Sequence, residues 1–369
     1  MAAALAGCAD YNDPYYVHSV WRTADGADGK SDVFFLTDRA PYPGTPGRFG
    51  YSPGDAPSCG VVDVTVPAAK LPTGPALFAK EDGDAAIICG AAQSGLATAI
   101  ARAARSRNCN RVLVFVHGFD TGFRTAALRT AQLGIDTQWP CVTAAFSWSS
   151  SGKRSDYELD RKRSVAAEPL FTEFLRALAA AGLKTSIVAH SMGTKLTLEA
   201  LASQPDRILL ADQVILAAAD ISVDADNDEF LALDDGAEPH IRHLTIYASE
   251  QDSALAVSQR INHGHERLGH APDVAIRDGA PDIDVIDASD APGGLTGHDY
   301  YGLSYEILAD MSLALADEPA AERLKPRAGR PPTLLPGEDG LPYRLNVTSS
   351  RAPGLLTRIL RWLITTAAG

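Results

Sequence analysis

A serine, an aspartate and a histidine in the order Ser191, Asp252, His298, each just beyond an apolar run, have the types and spacing that suit nucleophilic chemistry. Ser191 sits in Thr185-Ser186-Ile187-Val188-Ala189-His190-Ser191-Met192-Gly193-Thr194, where an uncharged β-branched run gives way to Leu196, Leu198, Leu201 and Ala202 at helical spacing. The period changes at the serine. A serine on a tight strand-to-helix turn takes strained backbone angles that lift its hydroxyl clear of the sheet, with its own amide at the helix N-terminus. Such a turn wants small residues two before and two after, and here they are Ala189 and Gly193, with alanine where the usual pattern has glycine. A buried strand followed by an N-cap serine fits this string equally well, so the rest of the chain must decide.

Acyl transfer on a serine needs a base, a group that orients the base, and two amide donors for the oxyanion. In a parallel sheet all of them come from the C-terminal ends of strands. The strand 112–116 ends at His117-Gly118-Phe119, so the amides of Phe119 and Met192 are the expected oxyanion donors. Strand 243–248 runs into Glu250-Gln251-Asp252, which makes Asp252 the expected orienting acid, with Asp220 after strand 213–217 as the runner-up. Strand 283–286 leads through a glycine-rich loop to Gly297-His298-Asp299-Tyr300-Tyr301, and His298 is the expected base. Serine, acid and histidine then follow in the order this kind of sheet requires.

The elements that must position these groups alternate regularly. Helices over about 91–107, 122–134, 160–181 and 253–262 separate the strands 112–116, 142–146, 185–190, 213–217, 243–247 and 283–286. Repeated βα units of this length predict an α/β fold, a mostly parallel doubly wound sheet of about eight strands with helices on both faces. Upstream, 32–37 reads as an edge strand, and 61–66 and 85–88 as antiparallel strands at one sheet edge. Pro169 fits a helix start or kink, and Gly182 a helix C-cap.

Three segments follow from this: an N-terminal stretch 1–29, a main domain 30–316, and a proline-rich arm with a C-terminal amphipathic helix over 317–369. The 369 residues carry a net charge of -13 and no basic stripe, which argues against nucleic acid as a partner. Leu5-Ala6-Gly7-Cys8 has the form of a lipoprotein cleavage site, although the apolar run before it is short, so membrane attachment through a lipidated Cys8 and an accidental match both stay open. Cys109 and Cys141 each precede a strand. Were those strands parallel neighbours, a disulfide would be geometrically feasible in an oxidising compartment, with Cys59 and Cys89 left as a second pair; four free thiols are the alternative. The expected location is the bacterial cell envelope, lipid-anchored or periplasmic, with the cytoplasm as the alternative.

The chain resembles the α/β-hydrolase superfamily and, within it, the bacterial esterase/lipase-like family DUF900, over about residues 30–315. The resemblance rests on Thr37-Asp38-Arg39, Val114-Phe115-Val116-His117-Gly118-Phe119, Phe146-Ser147-Trp148-Ser149, and Tyr157 with Asp160-Arg161. It rests also on Ala189-His190-Ser191-Met192-Gly193, Arg267-Leu268-Gly269 and Gly297-His298-Asp299-Tyr300-Tyr301. It implies a serine-dependent hydrolase fold with the roles given above. Where the family commonly has Asn after the His-Gly-aromatic string and Pro after the tryptophan, this chain has Asp120 and Ser149, and the first change brings negative charge toward the oxyanion loop.

No cofactor and no metal is expected. Asp224, Asp226 and Asp228 alternate like the start of a calcium loop, but Glu229 and Asp235 stand where that loop needs Gly and Glu. His263, His265 and His270 follow a helix end without an acidic partner at ligand spacing. The functional expectation is a serine hydrolase that cleaves small-molecule or lipid-like carboxylic esters through an acyl-enzyme, with Ser191, His298 and Asp252 as its triad. A non-catalytic envelope scaffold, or an acyltransferase or amidase with the same triad, are the alternatives. About twenty-five residues separate strands 213–217 and 243–248, too few for a lid domain, so an open site is expected.

Overall fold

In the computed structural model, residues 29–66, 80–81, 86–89, 94–224, 229–273, 283–291, 293–294, 296–327, 331–337 and 343–347 are described. Cys8, the stretch 355–363, Asp226 and Asp228 lie outside them. The strands are β1 (Gly29–Tyr42), β2 (Thr45–Val66), β3 (Lys80–Glu81), β4 (Ala86–Ile87), β5 (Arg111–Val116), β6 (Val142–Ser147), β7 (Lys184–His190), β8 (Gln213–Ala217), β9 (Leu244–Ala248), β10 (Ile283–Asp287), β11 (Leu334–Pro336) and β12 (Tyr343–Leu345). The helices are α1 (Ser94–Ser106), α2 (Phe123–Asp136), α3 (Tyr157–Ala180), α4 (Met192–Ala202), α5 (Glu229–Ala237), α6 (Ser253–Ile261), α7 (Tyr300–Leu303), α8 (Tyr305–Leu315) and α9 (Ala320–Arg323).

One mixed sheet runs β11-β12-β10-β9-β8-β7-β5-β6-β1-β2-β3, and β4 pairs with β2. The strands from β10 through β1 are parallel, so the ends of β5, β7, β8, β9 and β10 share one rim. Because side chains alternate along a strand, Val112, Val114 and Val116 of β5 pack on one face with α1, α3 and α4, and Leu113 and Phe115 on the other with α8. Each buried Val, Leu or Phe contributes about 1.5–3 kcal/mol, so the rim stands on a rigid platform.

The eight expected strands are therefore too few. β4 falls within the expected strand 85–88 and pairs antiparallel with β2, whereas the strands that were not expected, β3, β11 and β12, are two or three residues long, below the length at which any periodic pattern can register. Two of them come from the proline-rich arm, where Leu334 and Leu345 are buried in the core. The edge position expected for 32–37 is also corrected. β1 lies inside the sheet, parallel to β6 and antiparallel to β2, and its unbroken apolar run Val33-Phe34-Phe35-Leu36 is what a strand covered on both faces requires. Pro169 lies inside α3 rather than at its start, whereas Gly182, at φ +77°, follows the helix end as a C-cap glycine should.

Cys109 and Cys141 precede the neighbouring parallel strands β5 and β6 and are joined, as are Cys59 and Cys89, with Cα separations of 6.1 and 5.2 Å. Each link closes a loop of about thirty residues, worth about 2–4 kcal/mol. Among the described residues, no helix is long and apolar enough to cross a membrane.

Candidate active site

Ser191 separates β7 from α4 and has φ +52° and ψ −125°. A non-glycine residue in that region stores about 1–3 kcal/mol of strain, which the surroundings must hold in place. They do so through the backbone: the Ser191 amide donates to the Ala217 carbonyl at 3.0 Å, and the Thr194 amide and hydroxyl donate to the Ser191 carbonyl at 3.0 and 2.6 Å. Gly193 must be glycine because a Cβ there would collide with the His117 carbonyl. Gly118 is similarly constrained, since a Cβ on it would lie 2.8 Å from the Ser191 Cβ. The loop after β5 thus presses directly against the serine.

Asp252 and His298 meet at the ends of β9 and β10. Asp252 is the N-cap of α6: its Oδ1 accepts from the amides of Ala254 and Leu255 at 3.1 and 3.0 Å, while its Oδ2 accepts from His298 Nδ1 at 2.7 Å. One carboxylate caps the helix and orients the imidazole. A carboxylate only accepts, so Nδ1 carries the proton and Nε2 keeps its lone pair. Burial pulls the His298 pKa down, but the charge and hydrogen bond of Asp252 outweigh it, and the net shift is upward from 6.5. His190 packs 4.6 Å from the His298 ring and stacks on Tyr301 at 4.3 Å. Burial, reinforced by the His298 charge, holds His190 well below the usual histidine range, so it stays neutral.

The loop 117–121 is clamped from beneath by a buried arginine. A register shift in β1 between Thr37 and Arg39 accompanies the entry of Arg39 into the interior, where it donates to the carbonyls of Thr121 at 2.6 Å and Ser150 at 3.1 Å and to Ser147 Oγ at 3.0 Å. Burial lowers its pKa to about 10, so it remains charged at neutral pH. Asp160 of α3 completes the clamp by accepting from Ser150 Oγ at 2.5 Å and the Ser151 amide at 2.7 Å. His117, desolvated and beside Arg39, is depressed to about 3 and stays neutral; its ring nitrogens lie 2.8 Å from the Gly118 carbonyl and 3.1 Å from the Trp148 carbonyl, and a neutral imidazole donates to one of the two. Arg154 stands 3.8 Å from Asp120 and offsets the negative charge this loop carries. Among the described residues, neither the Phe119 nor the Met192 amide donates to a protein acceptor.

Asp220, the runner-up acid, belongs to a different network. Its Oδ2 accepts from Tyr157 Oη at 2.7 Å and its Oδ1 from Ser258 Oγ at 2.6 Å, and Arg267 Nη1 lies 3.8 Å away. No hydrogen bond joins it to His298 among the described residues. The spacing of the chain gave Tyr157, Ser258 and Arg39 no role. Tyr157 and Arg39 stood only within motifs, and their partners lie 63 and about 110 residues away in sequence. His265 has an acidic partner after all, Asp224 at 2.8 Å, which lies forty-one residues upstream. No group of three or more His, Cys, Asp or Glu that could hold a metal occurs among the described residues.

The site is less open than expected: Ser191, His298 and Asp252 are 6, 4 and 0% exposed. His298 is carried on the segment 296–299, pinned by the Ser253 amide donating to the Thr296 carbonyl at 2.8 Å. A small polar cavity of about 150 Å³ is lined by Met192. A larger one, about 520 Å³, lies between α8 and residues 325–327 and 331–333, and neither cavity is lined by Ser191, Asp252 or His298.

A sheet with this rim, carrying a serine on a strained turn and an Asp–His pair beyond it, defines an α/β-hydrolase fold. The chain belongs to the family described as alpha/beta hydrolases of unknown function (DUF900), whose model matches residues 92–313. No curated protein and no solved structure matches it.

Proposed function

We propose that the protein is a serine hydrolase that cleaves carboxylic esters through an acyl-enzyme. The observation that carries this is the 2.7 Å contact between Asp252 Oδ2 and His298 Nδ1, on the same rim as a serine held at φ +52°. One oxygen of this buried carboxylate caps a helix and the other fixes the imidazole. An imidazole with its proton fixed on Nδ1 is the form a general base needs.

In this mechanism Ser191 Oγ attacks the ester carbonyl carbon as His298 Nε2 takes its proton. The negative charge that develops on the carbonyl oxygen is received by the amides of Phe119 and Met192, held in place beforehand by the clamp on loop 117–121. Collapse of the tetrahedral intermediate expels the alcohol, protonated by His298. Water then enters, gives a proton to the same nitrogen, and releases the acid. Asp252 stabilises the imidazolium that forms on His298.

Export fits this reading, because two disulfides persist in an oxidising compartment and not in a reducing one. We propose an envelope or periplasmic location on that basis. Hydrolysis of p-nitrophenyl esters of increasing chain length tests the activity. Turnover is expected in the wild type and a loss of about 10⁴-fold or more in Ser191→Ala. Turnover undiminished in that variant would contradict the proposal, and no turnover with any ester would favour a scaffold or an acyltransferase.

A further inference from the structure

The mechanism leaves Arg267 unused. Its side chain is only 5% exposed, and it lines the cavity of about 150 Å³ with Met192, Asp220 and Lys195. Met192 follows Ser191 and bears one of the two oxyanion amides, and the Asp220 amide donates to the Ser191 carbonyl at 3.4 Å. The cavity wall therefore includes the residue that follows the serine, although Ser191 and His298 do not line it.

The other permanent cations on its wall are engaged. Lys195 Nζ meets Glu229 at 2.7 Å and Glu199 at 3.9 Å, and Arg161 meets Glu158 at 2.8 Å. Arg267 differs from both. Its Nε donates to the His265 carbonyl at 3.1 Å, but Nη1 stands 3.8 Å from Asp220 Oδ1, and that oxygen already accepts from Ser258 at 2.6 Å. Among the described residues, no hydrogen-bond acceptor engages Nη1 or Nη2. Asp220 thus balances the charge of the guanidinium and leaves its fork of N–H groups unmatched. A guanidinium fork that opens onto a cavity presents parallel N–H groups, and its planar geometry fits a carboxylate with two parallel hydrogen bonds.

We propose that this cavity receives a carboxylate of the substrate on the Arg267 fork, so that the preferred esters carry a carboxylate a short distance from the scissile bond. The inference rests on the hydrolase reading and names the substrate class for it. Nothing in it requires the reacting carbonyl to sit on a particular side of that carboxylate.

The test compares labelling rates for two alkyl fluorophosphonates of equal length, one ending in a carboxylate and the other in its methyl ester, on the full chain. The carboxylate reagent is expected to react about tenfold faster or more, the size of effect a charge-assisted hydrogen bond supplies. Arg267→Gln should erase that ratio and Arg267→Lys, which keeps the charge without the fork, should reduce it. If the glutamine variant does not fold, the lysine variant alone decides, because its ratio must fall. Equal rates in the wild type, or a ratio unchanged in the variants, overturn the proposal and leave the hydrolase intact. Absence of an adduct with both reagents removes the hydrolase reading and this inference with it.

Discussion

Asp220 and Asp252 stand beyond the ends of adjacent strands, β8 and β9, both almost wholly buried and both accepting several hydrogen bonds, yet they do different work. Asp252 gives one oxygen to two helix amides and the other to an imidazole whose pKa it raises. Asp220 gives its oxygens to a phenol and a serine hydroxyl and faces a guanidinium. Position on the rim and burial are shared; the partner decides the role. Only a titrating partner lets a buried carboxylate take part in proton transfer.

The widest gap between the two is expected in rate. Asp252→Asn should lower kcat/KM by about 10⁴-fold, because the amide can donate to Nδ1 and so favour the wrong tautomer. Asp220→Asn should lower the rate on a neutral ester by less than about tenfold. Steady-state kinetics on one p-nitrophenyl ester checks both, and a larger loss at Asp220 would reverse the assignment. Next in size, Gly118→Ala should cost about 10²-fold while leaving the Asp252–His298 pair untouched, since its Cβ would displace Ser191 and the oxyanion loop.

The pH dependence separates the two networks in another way. His298 must be neutral to act as base, and its pKa lies above 6.5, so kcat/KM should fall as pH drops through a midpoint above that value. Asp252→Asn should move the midpoint down, and Asp220→Asn should move it less. Stability has the opposite sign of linkage for the buried neutral histidines. His117 and His190 bind fewer protons folded than unfolded, so their contribution is present above pH 6.5 and is lost as pH falls below it, by about 1.4 kcal/mol per pH unit for each. His298, raised instead, contributes below its unfolded pKa and loses that contribution as pH rises. Urea midpoints across this range should therefore show a net decline in acid.

The smallest expected difference is in stability alone. Asp220→Asn should cost about 1–3 kcal/mol, because one amide hydrogen faces donors and Arg267 loses its counter-charge. Thermal unfolding with and without reductant gives a scale for that loss, since opening the two disulfides should cost about 2–4 kcal/mol each.

The sequence conveyed much of this comparison, though unevenly. The parallel core strands were legible because each is an apolar run four to seven residues long followed by a helical period. Ser191 was legible because the period switches there, and Asp252 and His298 because each follows such a strand. What escaped was pairing at long range. Nothing near Asp220 reveals that Tyr157 and Ser258 will fill its oxygens, or that a shift in β1 will send Arg39 under the loop after β5. The placement of β1 was missed for a related reason: a strand apolar on both faces shows no alternation, so its lack of pattern passed for an edge when it marked an interior position. The two- and three-residue strands β3, β11 and β12 gave no pattern at all.

Mass mapping of the site that reacts with a fluorophosphonate tests the central claim most directly. A single adduct on Ser191, formed much more slowly in Asp252→Asn and at a near wild-type rate in Asp220→Asn, is the expected result. An adduct on another residue, or labelling of Ser191 that ignores Asp252 and depends on Asp220, would contradict it.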